Sequence, residues 1–379
     1  SIILGPRHEW GIALVMEIGS DFWLNRFEPI HPSVLDLSVF EIPYQDYALL
    51  SSGRQAIAFV LDHINVKRGK KKALLPAFTC ESVITPFIRA GYDVGFFMMN
   101  KDLSCDIDDL SEKLARSEYD VLLLHGYFGF DTLSSVKPLV EEARKNGVTI
   151  LKDITQTLYS RYQRVHADFY IASLRKWAPL PDGAIAFWSY GQFRRKPKSG
   201  DLALLEAKLQ AFHAKYSYMK SGQGDKHTFR ELYKNAEALV DNQAAYYAMN
   251  ELSLRLQANL DVDWLRQTRR LNYMTLLDVV RQCKLLEPIF SYLPTGVTPL
   301  YFPVYVKCRR DALQDELARQ GVYCPIIWPK PAHLSASLPD GTQWIYDHIL
   351  AIPCDQRYGD VEMRYIGQML DDIRLNPLT

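Results

Sequence analysis

The chain predicts an α/β fold, with a mostly parallel central sheet sandwiched by helices and a smaller α+β C-terminal domain behind it. Three observations predict this. Short apolar runs alternate with amphipathic stretches over 45–245. The runs are nearly continuous in apolar residues, as strands buried on both faces are. Near residue 298 the pattern resets into a second, shorter set of strands and helices. We therefore expect a large domain over 1–245, including an N-terminal segment, and a small domain over 246–379.

The strand-like runs are 72–78 (KALLPAF), 92–99 (YDVGFFMM), 120–128 (DVLLLHGYF), 148–154 (VTILKDI), 168–173 (DFYIAS) and 183–188 (GAIAFW). Each is short enough for a buried strand and too short for a buried helix. Helix-like segments lie between several of them. The stretch 81–91 ends in a glycine and 133–147 in Asn–Gly, both helix-stop signals. A basic segment at 192–200 follows, then a polar helical region with a loop-like KSGQGDKHT at 220–228, then a helical run at 266–280. Beyond 298 the expected order is strand (299–307), helix closed by glycine (310–321), strand (322–329) and a final amphipathic helix (361–376).

Composition excludes several classes. The 379 residues hold 44 basic and 44 acidic side chains, so no net charge favours nucleic acid or an anionic membrane. No apolar run reaches the roughly 20 residues that a membrane helix needs. The opening SIILGPRHEWGIALVM lacks the basic segment, long apolar core and cleavage site of a leader, and the expected location is cytoplasmic. Six scattered cysteines form no CxxC pair and no zinc-spaced cluster, so no metal site is expected.

Ligands of open α/β sheets sit outside the carboxyl ends of the strands. Near residue 50, Ser51, Ser52, Gly53 and Arg54 lead straight into an amphipathic helix. Such a start is either an anion site or an ordinary helix cap on Ser52. Asp153 ends the fourth run, with Gln156 three residues on; a buried carboxylate there needs a positive partner. Ser173 ends the fifth run and Lys176 follows, in DFYIASLRKWAPLPDG. A lysine enclosed in an apolar, cation-rich pocket favours its neutral amine, which forms a Schiff base with an aldehyde. Lys176 taken alone reads as a solvated strand-end lysine. An anion-binding helix start, a carboxylate, a serine and a lysine in this order match what pyridoxal phosphate needs: a cradle for its phosphate, a partner for its ring nitrogen and an amine for its aldehyde.

On SSGRQA (51–56), LLPAFTCESV (74–83), LKDITQ (151–156), ASLRKWAPLPDGA (172–184), RRLNY (269–273), FPVYV (302–306), GVYCPIIWP (321–329) and ILAIPCDQRY (349–358), the chain resembles fold-type I pyridoxal-phosphate enzymes. Within them it is similar to the DegT–StrS family of sugar aminotransferases. The resemblance spans residues 15–375. It implies that Lys176 holds the cofactor's aldehyde, Asp153 pairs with its ring nitrogen and Gln156 reaches its phenolic oxygen. It implies that Ser52, Gly53, Arg54 and Ser173 cradle the phosphate. It also implies a homodimer with shared sites, the segment 216–230 crossing to the partner with Tyr218, Lys220 and His227. The family's stacking aromatic falls at Cys80, so Phe78, Tyr127 or Phe128 is the substitute ring, and His125 lies near the cofactor or is a satisfied core histidine. The spacing SLRK is short for a member acting on nucleotide sugars, and Gly183–Ala184 stands where a glycine pair is usual.

The resulting expectation is a pyridoxal-phosphate-dependent aminotransferase of sugar biosynthesis, with L-glutamate as donor and a keto-sugar as acceptor. Alternatives are a lyase or condensing enzyme on the same cofactor, or a non-catalytic relative. Lys176 counts against the sugar-dehydrating branch, which carries histidine there. Arg269 and Arg270 read as a solvated helix face ahead of a substrate-carboxylate site. Trp328 and His333 read as core packing and surface loop ahead of an acceptor pocket. Asp355, Gln356, Arg357 and Tyr358 read as an internal polar staple.

Overall fold

The computed structural model describes residues 17–24, 34–66, 71–222, 224–334 and 338–375. The opening stretch 1–16 and Gln223 of the segment 216–230 lie outside the described residues. In chain order the first part holds β1 (Ile18–Gly19), β2 (Asp46–Leu50), α1 (Gly53–Leu61), β3 (Lys72–Pro76), α2 (Glu81–Arg89), β4 (Asp93–Phe97) and α3 (Ile107–Ala115). Then come β5 (Val121–His125), α4 (Lys137–Lys145), β6 (Thr149–Asp153), β7 (Phe169–Ser173) and β8 (Ala184–Trp188). Helices α5 (Leu202–Ser221), α6 (Lys226–Asp241), α7 (Glu251–Ala258) and α8 (Val262–Val280) lead to β9 (Leu286–Pro288), β10 (Phe302–Val306), α9 (Arg310–Arg319) and β11 (Val322–Tyr323). The chain continues with α10 (Asp340–His348), β12 (Ile349–Ile352) and α11 (Asp360–Leu375).

Seven strands form the main sheet in the order β2-β8-β7-β6-β5-β3-β4. Strands β4, β3, β5, β6 and β7 run parallel, while β8 is antiparallel to both β7 and β2. The mostly parallel, two-sided sheet expected from the sequence is therefore present. Alternate residues of one strand feed different cores: Leu123, Leu151 and Ile171 pack in one with α1 and α2, and Leu122, Leu124, Ile150 and Ala172 in the other. That alternation is why the strands read as continuous apolar runs. Strand β2 escaped the sequence reading because it is short and only its alternate residues Ala48 and Leu50 are buried.

A second, antiparallel sheet, β12-β10-β9, forms the C-terminal region, and β1 pairs in parallel with β11. The strand expected over 322–329 is only the two residues of β11. Pro325 and Pro329 lack the amide hydrogens that a ladder requires, so the chain leaves the sheet there. The loop expected over 216–230 is mostly helix. Gly222, at φ 64°, ends α5, the side chain of Asp225 caps α6, and the two helices pack on each other. No described helix is long and apolar enough to cross a membrane.

Lys152 sits on β6 beside Asp153 but, by strand alternation, faces the opposite side. It is buried to 1% exposure. Burial, reinforced by the Arg164 guanidinium, pulls its ammonium down to about 7, against the opposing pull of Asp131. In the unfolded chain this lysine titrates near its ordinary value, so the unfolded state binds more protons between about pH 7 and 10 and native stability rises across that window. Lys152→Met should therefore unfold at a higher temperature than wild type at pH 6, by the equivalent of about 1–3 kcal/mol. The gap should close toward pH 10. Thermal unfolding followed by circular dichroism checks this; a gap that stays constant with pH contradicts it.

Candidate active site

The register of the main sheet brings the chemistry-bearing residues to one edge. His125 is paired with Asp153 across β5 and β6, and Ser173 with Ala184 across β7 and β8. Ala184 is paired in turn with Leu50, the last residue of β2. Helix α1 begins three residues later. Ser52 caps it, its hydroxyl accepting the Gln55 N–H at 3.4 Å. The N–H groups of Gly53 and Arg54, in the first turn, have no intrahelical acceptor. A Cβ at Gly53 would lie 3.3 Å from the Ser173 Cβ, so glycine lets the helix start approach Ser173 closely. Gly183 closes the arrangement: at φ 134° it donates its N–H to the Ser51 carbonyl at 2.8 Å and accepts from the Leu174 N–H at 3.1 Å. The Arg54 side chain turns away into an ion pair with Asp241, leaving only its backbone at the cradle.

Asp153 is 5% exposed and accepts the Thr155 N–H at 2.8 Å. Its second oxygen lies 3.5 Å from Nδ1 of His125, the only basic side chain in ion-pair range among the described residues. His125 Nε2 is 2.8 Å from the Thr79 hydroxyl. Burial holds His125 below its ordinary value, although the Asp153 charge opposes this. The carboxylate therefore faces an imidazole that is neutral near pH 7. Gln156 is also buried, its Oε1 accepting the Phe128 N–H at 2.7 Å, which turns its Nε2 donors elsewhere. Cys80 is half-buried with Sγ 2.9 Å from the Ser82 hydroxyl. Burial pushes its thiol up, the Asp153 charge adds to this and the Lys176 charge opposes it.

None of the expected stacking rings offers an open face. Phe78, Tyr127 and Phe128 are fully buried. Phe78 packs among Tyr127, Trp328 and Tyr346 with ring centroids 5.2–5.4 Å apart. Trp328 is only half-buried and lies 5.7 Å from the His125 ring, so it borders the site rather than only filling the core.

The expectation of an enclosed lysine is not met. A single 3-10 turn over Leu174–Lys176 buries Leu174 and swings Lys176 outward, where it is exposed and free of hydrogen bonds and ion pairs among the described residues. Its side chain lines a cavity of about 350 Å³ together with Arg175, Lys208, Glu237, Arg269 and Arg357. Sequence reasoning missed most of this wall. Arg269 is not on a solvated helix face: it is 1% exposed, and its guanidinium lies 4.7 Å above the Trp177 ring. The spacing of Leu265, Arg269, Tyr273 and Leu276 puts Arg269 on the buried stripe of α8, a signal that was available. Arg270 is tied instead to the carbonyls of Pro294 and Val297. The staple at 355–358 is present: Asp355 and Arg357 form a two-oxygen ion pair at 2.8 and 2.9 Å, and Gln356 bridges Arg269 and the Trp177 carbonyl.

The remaining candidates have partners of their own. Tyr218 packs on Phe229, Lys220 bonds the Tyr216 hydroxyl, and the His227 N–H takes the cap of Asp225. His333, at the surface, pairs with Glu81 at 2.6 Å.

No protein-family model matches the chain, and no curated protein does. Solved structures match over nearly the whole length. Sugar aminotransferase CalS13 from Micromonospora echinospora is 14% identical, with 86% of this chain and 87% of that one covered and a TM-score of 0.62. A DegT DnrJ EryC1 StrS aminotransferase from Brucella abortus is 16% identical, with 90% and 91% covered and a TM-score of 0.61. The PLP form of Spr1654 from Streptococcus pneumoniae is 16% identical, with 89% and 88% covered and a TM-score of 0.63. At these identities the likeness is one of fold, and the fold is the fold-type I architecture of these aminotransferases.

The His125 geometry makes a prediction independent of any ligand. Nitrogen-15 NMR of the imidazole should show the neutral ring at pH 7, with a titration midpoint below that of a free histidine. Asp153→Asn removes the charge that favours the imidazolium and should lower the midpoint further. A midpoint that rises in the variant contradicts the arrangement.

Proposed function

We propose that this chain is a pyridoxal-phosphate-dependent aminotransferase that moves an amino group from an amino acid, L-glutamate in our reading, to a keto-sugar. The observation that carries the reading is a buried carboxylate, Asp153, at the end of the strand next to the one that Lys176 follows. Among the described residues this carboxylate faces only a histidine that burial holds neutral, and the lysine makes no hydrogen bond or ion pair. A carboxylate so placed is poised for a cationic ring nitrogen, which would supply the charge its surroundings lack. The helix start at Gly53, in contact with Ser173, suits a phosphate. The likeness in fold to aminotransferases, one of them in a PLP form, supports the same assignment.

In this reading the Gly53 and Arg54 N–H groups and the Ser173 hydroxyl hold the phosphate, and Asp153 holds the proton on the ring nitrogen. Gln156 offers Nε2 to the phenolic oxygen, its Oε1 being fixed by Phe128. Pyridoxal phosphate, when bound, supplies an aldehyde that captures amines and a ring that takes up negative charge. Lys176 would hold that aldehyde at rest and, when freed from it, its amine would serve as the base for the substrate Cα proton. The keto-sugar acceptor rests on the resemblance to sugar aminotransferases, and so does a homodimer with shared sites.

The absorption spectrum with pyridoxal phosphate tests this. Wild type should develop a yellow band that Lys176→Ala lacks, and L-glutamate should bleach the band. Single-turnover formation of 2-oxoglutarate from L-glutamate should be slower by about 10²–10⁴-fold or more in the variant. A wild type without the band overturns the cofactor assignment; a band that ignores every amino donor overturns the aminotransferase.

A further inference from the structure

A run of buried polar contacts joins Asp153 to the C-terminal region. One Asp153 oxygen lies 3.5 Å from His125 Nδ1, and His125 Nε2 is 2.8 Å from the Thr79 hydroxyl. The Thr79 N–H donates to the Tyr346 hydroxyl at 3.1 Å, and that hydroxyl donates to the Ala77 carbonyl at 2.7 Å. All four side chains, of Asp153, His125, Thr79 and Tyr346, are buried. Tyr346 stands on α10, so this helix fixes the backbone of the connection between β3 and α2 at both Ala77 and Thr79. Helix α10 is itself held beside that connection by Thr342, whose hydroxyl accepts the Met99 N–H at 2.9 Å and donates to the Met99 carbonyl at 3.0 Å. The His125 ring has little room to turn, with Tyr127 and Trp328 at centroid distances of 5.9 and 5.7 Å.

A neutral imidazole carries one proton, and the hydrogen bond at one nitrogen decides which nitrogen holds it. The Thr79 hydroxyl makes no other hydrogen bond among the described residues. If His125 donated through Nε2, the Thr79 hydroxyl hydrogen would be buried with no acceptor among them, and the Nδ1 lone pair would face the Asp153 carboxylate. If Thr79 donates to Nε2 instead, both costs disappear and the proton sits on Nδ1, turned toward Asp153. We infer that Thr79 is a positioning residue for Asp153: its hydroxyl, set in place by Tyr346, holds His125 in the Nδ1–H form, which favours Asp153 as an ionised carboxylate. The C-terminal region thereby biases a group at the end of β6 that it does not touch. The use made of Asp153 rests on the aminotransferase reading; the tautomer is a property of the protein alone.

Nitrogen-15 NMR of the imidazoles in the full chain, without any ligand, reads the tautomer directly. The spectrum is taken at pH 8, where burial keeps the ring neutral, and His125→Gln identifies the resonances. Wild type should show a protonated Nδ1 and an unprotonated, hydrogen-bonded Nε2. Thr79→Val, close in volume, should raise the Nε2–H fraction by about 10-fold, as expected for one lost buried hydrogen bond. Thr79→Ser keeps the hydroxyl and should return the wild-type pattern, which a loss of packing alone would not do. Tyr346→Phe should move the ratio in the same direction as the valine variant. Melting temperatures confirm that the variants fold, and Thr79→Ala is read in place of the valine variant if that one does not. An Nε2–H wild type, or a folded Thr79→Val with the wild-type pattern, overturns the role of Thr79. A folded Tyr346→Phe with the wild-type pattern overturns the link to α10. If the cofactor band forms and responds to L-glutamate while His125 is Nε2–H, the aminotransferase stands and this inference falls. If no band forms yet the tautomer follows Thr79, the inference stands and the aminotransferase falls.

Discussion

Everything at the candidate site depends on the parallel register of β5, β6 and β7. His125 lies opposite Asp153 across β5 and β6, Ser173 lies two residues past Ile171, the partner of Asp153 on β7, and the antiparallel return of β8 and β2 adds the start of α1 to the same edge. A slip of one residue along β6 would exchange Asp153 for Lys152 on the site face. Both are buried and charged, so the exchange would be costly on either face. The two apolar cores fix the register, because each takes alternate residues of every central strand. The chemistry is thus positioned by residues that have no part in it.

The second wall of the site is held by polar contacts over long sequence distances. The segment 17–24 is clamped between α5, α6 and the 355–358 turn. Lys215, fully buried, bonds the Ser20 hydroxyl and the Asp21 carbonyl, and lies 4.7 Å from the Trp23 ring. Burial, helped by the Arg357 charge, brings its ammonium down to about 7, so this anchor is held at some cost. Lys226 secures Glu17 at 2.6 Å, and the Gly19 N–H donates to the Tyr358 hydroxyl at 2.9 Å. These ties fix one rim of the cavity that Lys176 lines, so early and late residues of the chain share one structure.

Legibility in the sequence followed the range of the interactions. Asp153, Ser173 and Lys176 were visible because each directly follows a run of buried strand residues, and the short spacing between them is a local property. The helix start at 52–54 was visible for the same reason, although whether Ser52 capped the helix needed coordinates. The cavity was not visible. Arg175, Lys208, Glu237, Arg269 and Arg357 come from separated segments, and nothing in a local pattern says that their charges converge. The helices over most of 216–230 were not legible because glycine and polar residues look alike in a long loop and at helix ends; the difference lies in Gly222 and Asp225 closing two helices that pack together. The substitute ring was misread because a count of aromatics near Cys80 cannot say which are walled in by others.

Lys176 stands where two unlike environments meet. On one side is Asp153, a buried carboxylate beside a neutral imidazole; on the other is a wall whose cations outnumber its carboxylates. Neither side is balanced by itself within the described residues. The first imbalance has the sign that suits a cation, the second the sign that suits an anion. At the boundary of both, Lys176 makes no hydrogen bond or ion pair among the described residues, so a group arriving from either side meets a side chain that has no protein partner to give up.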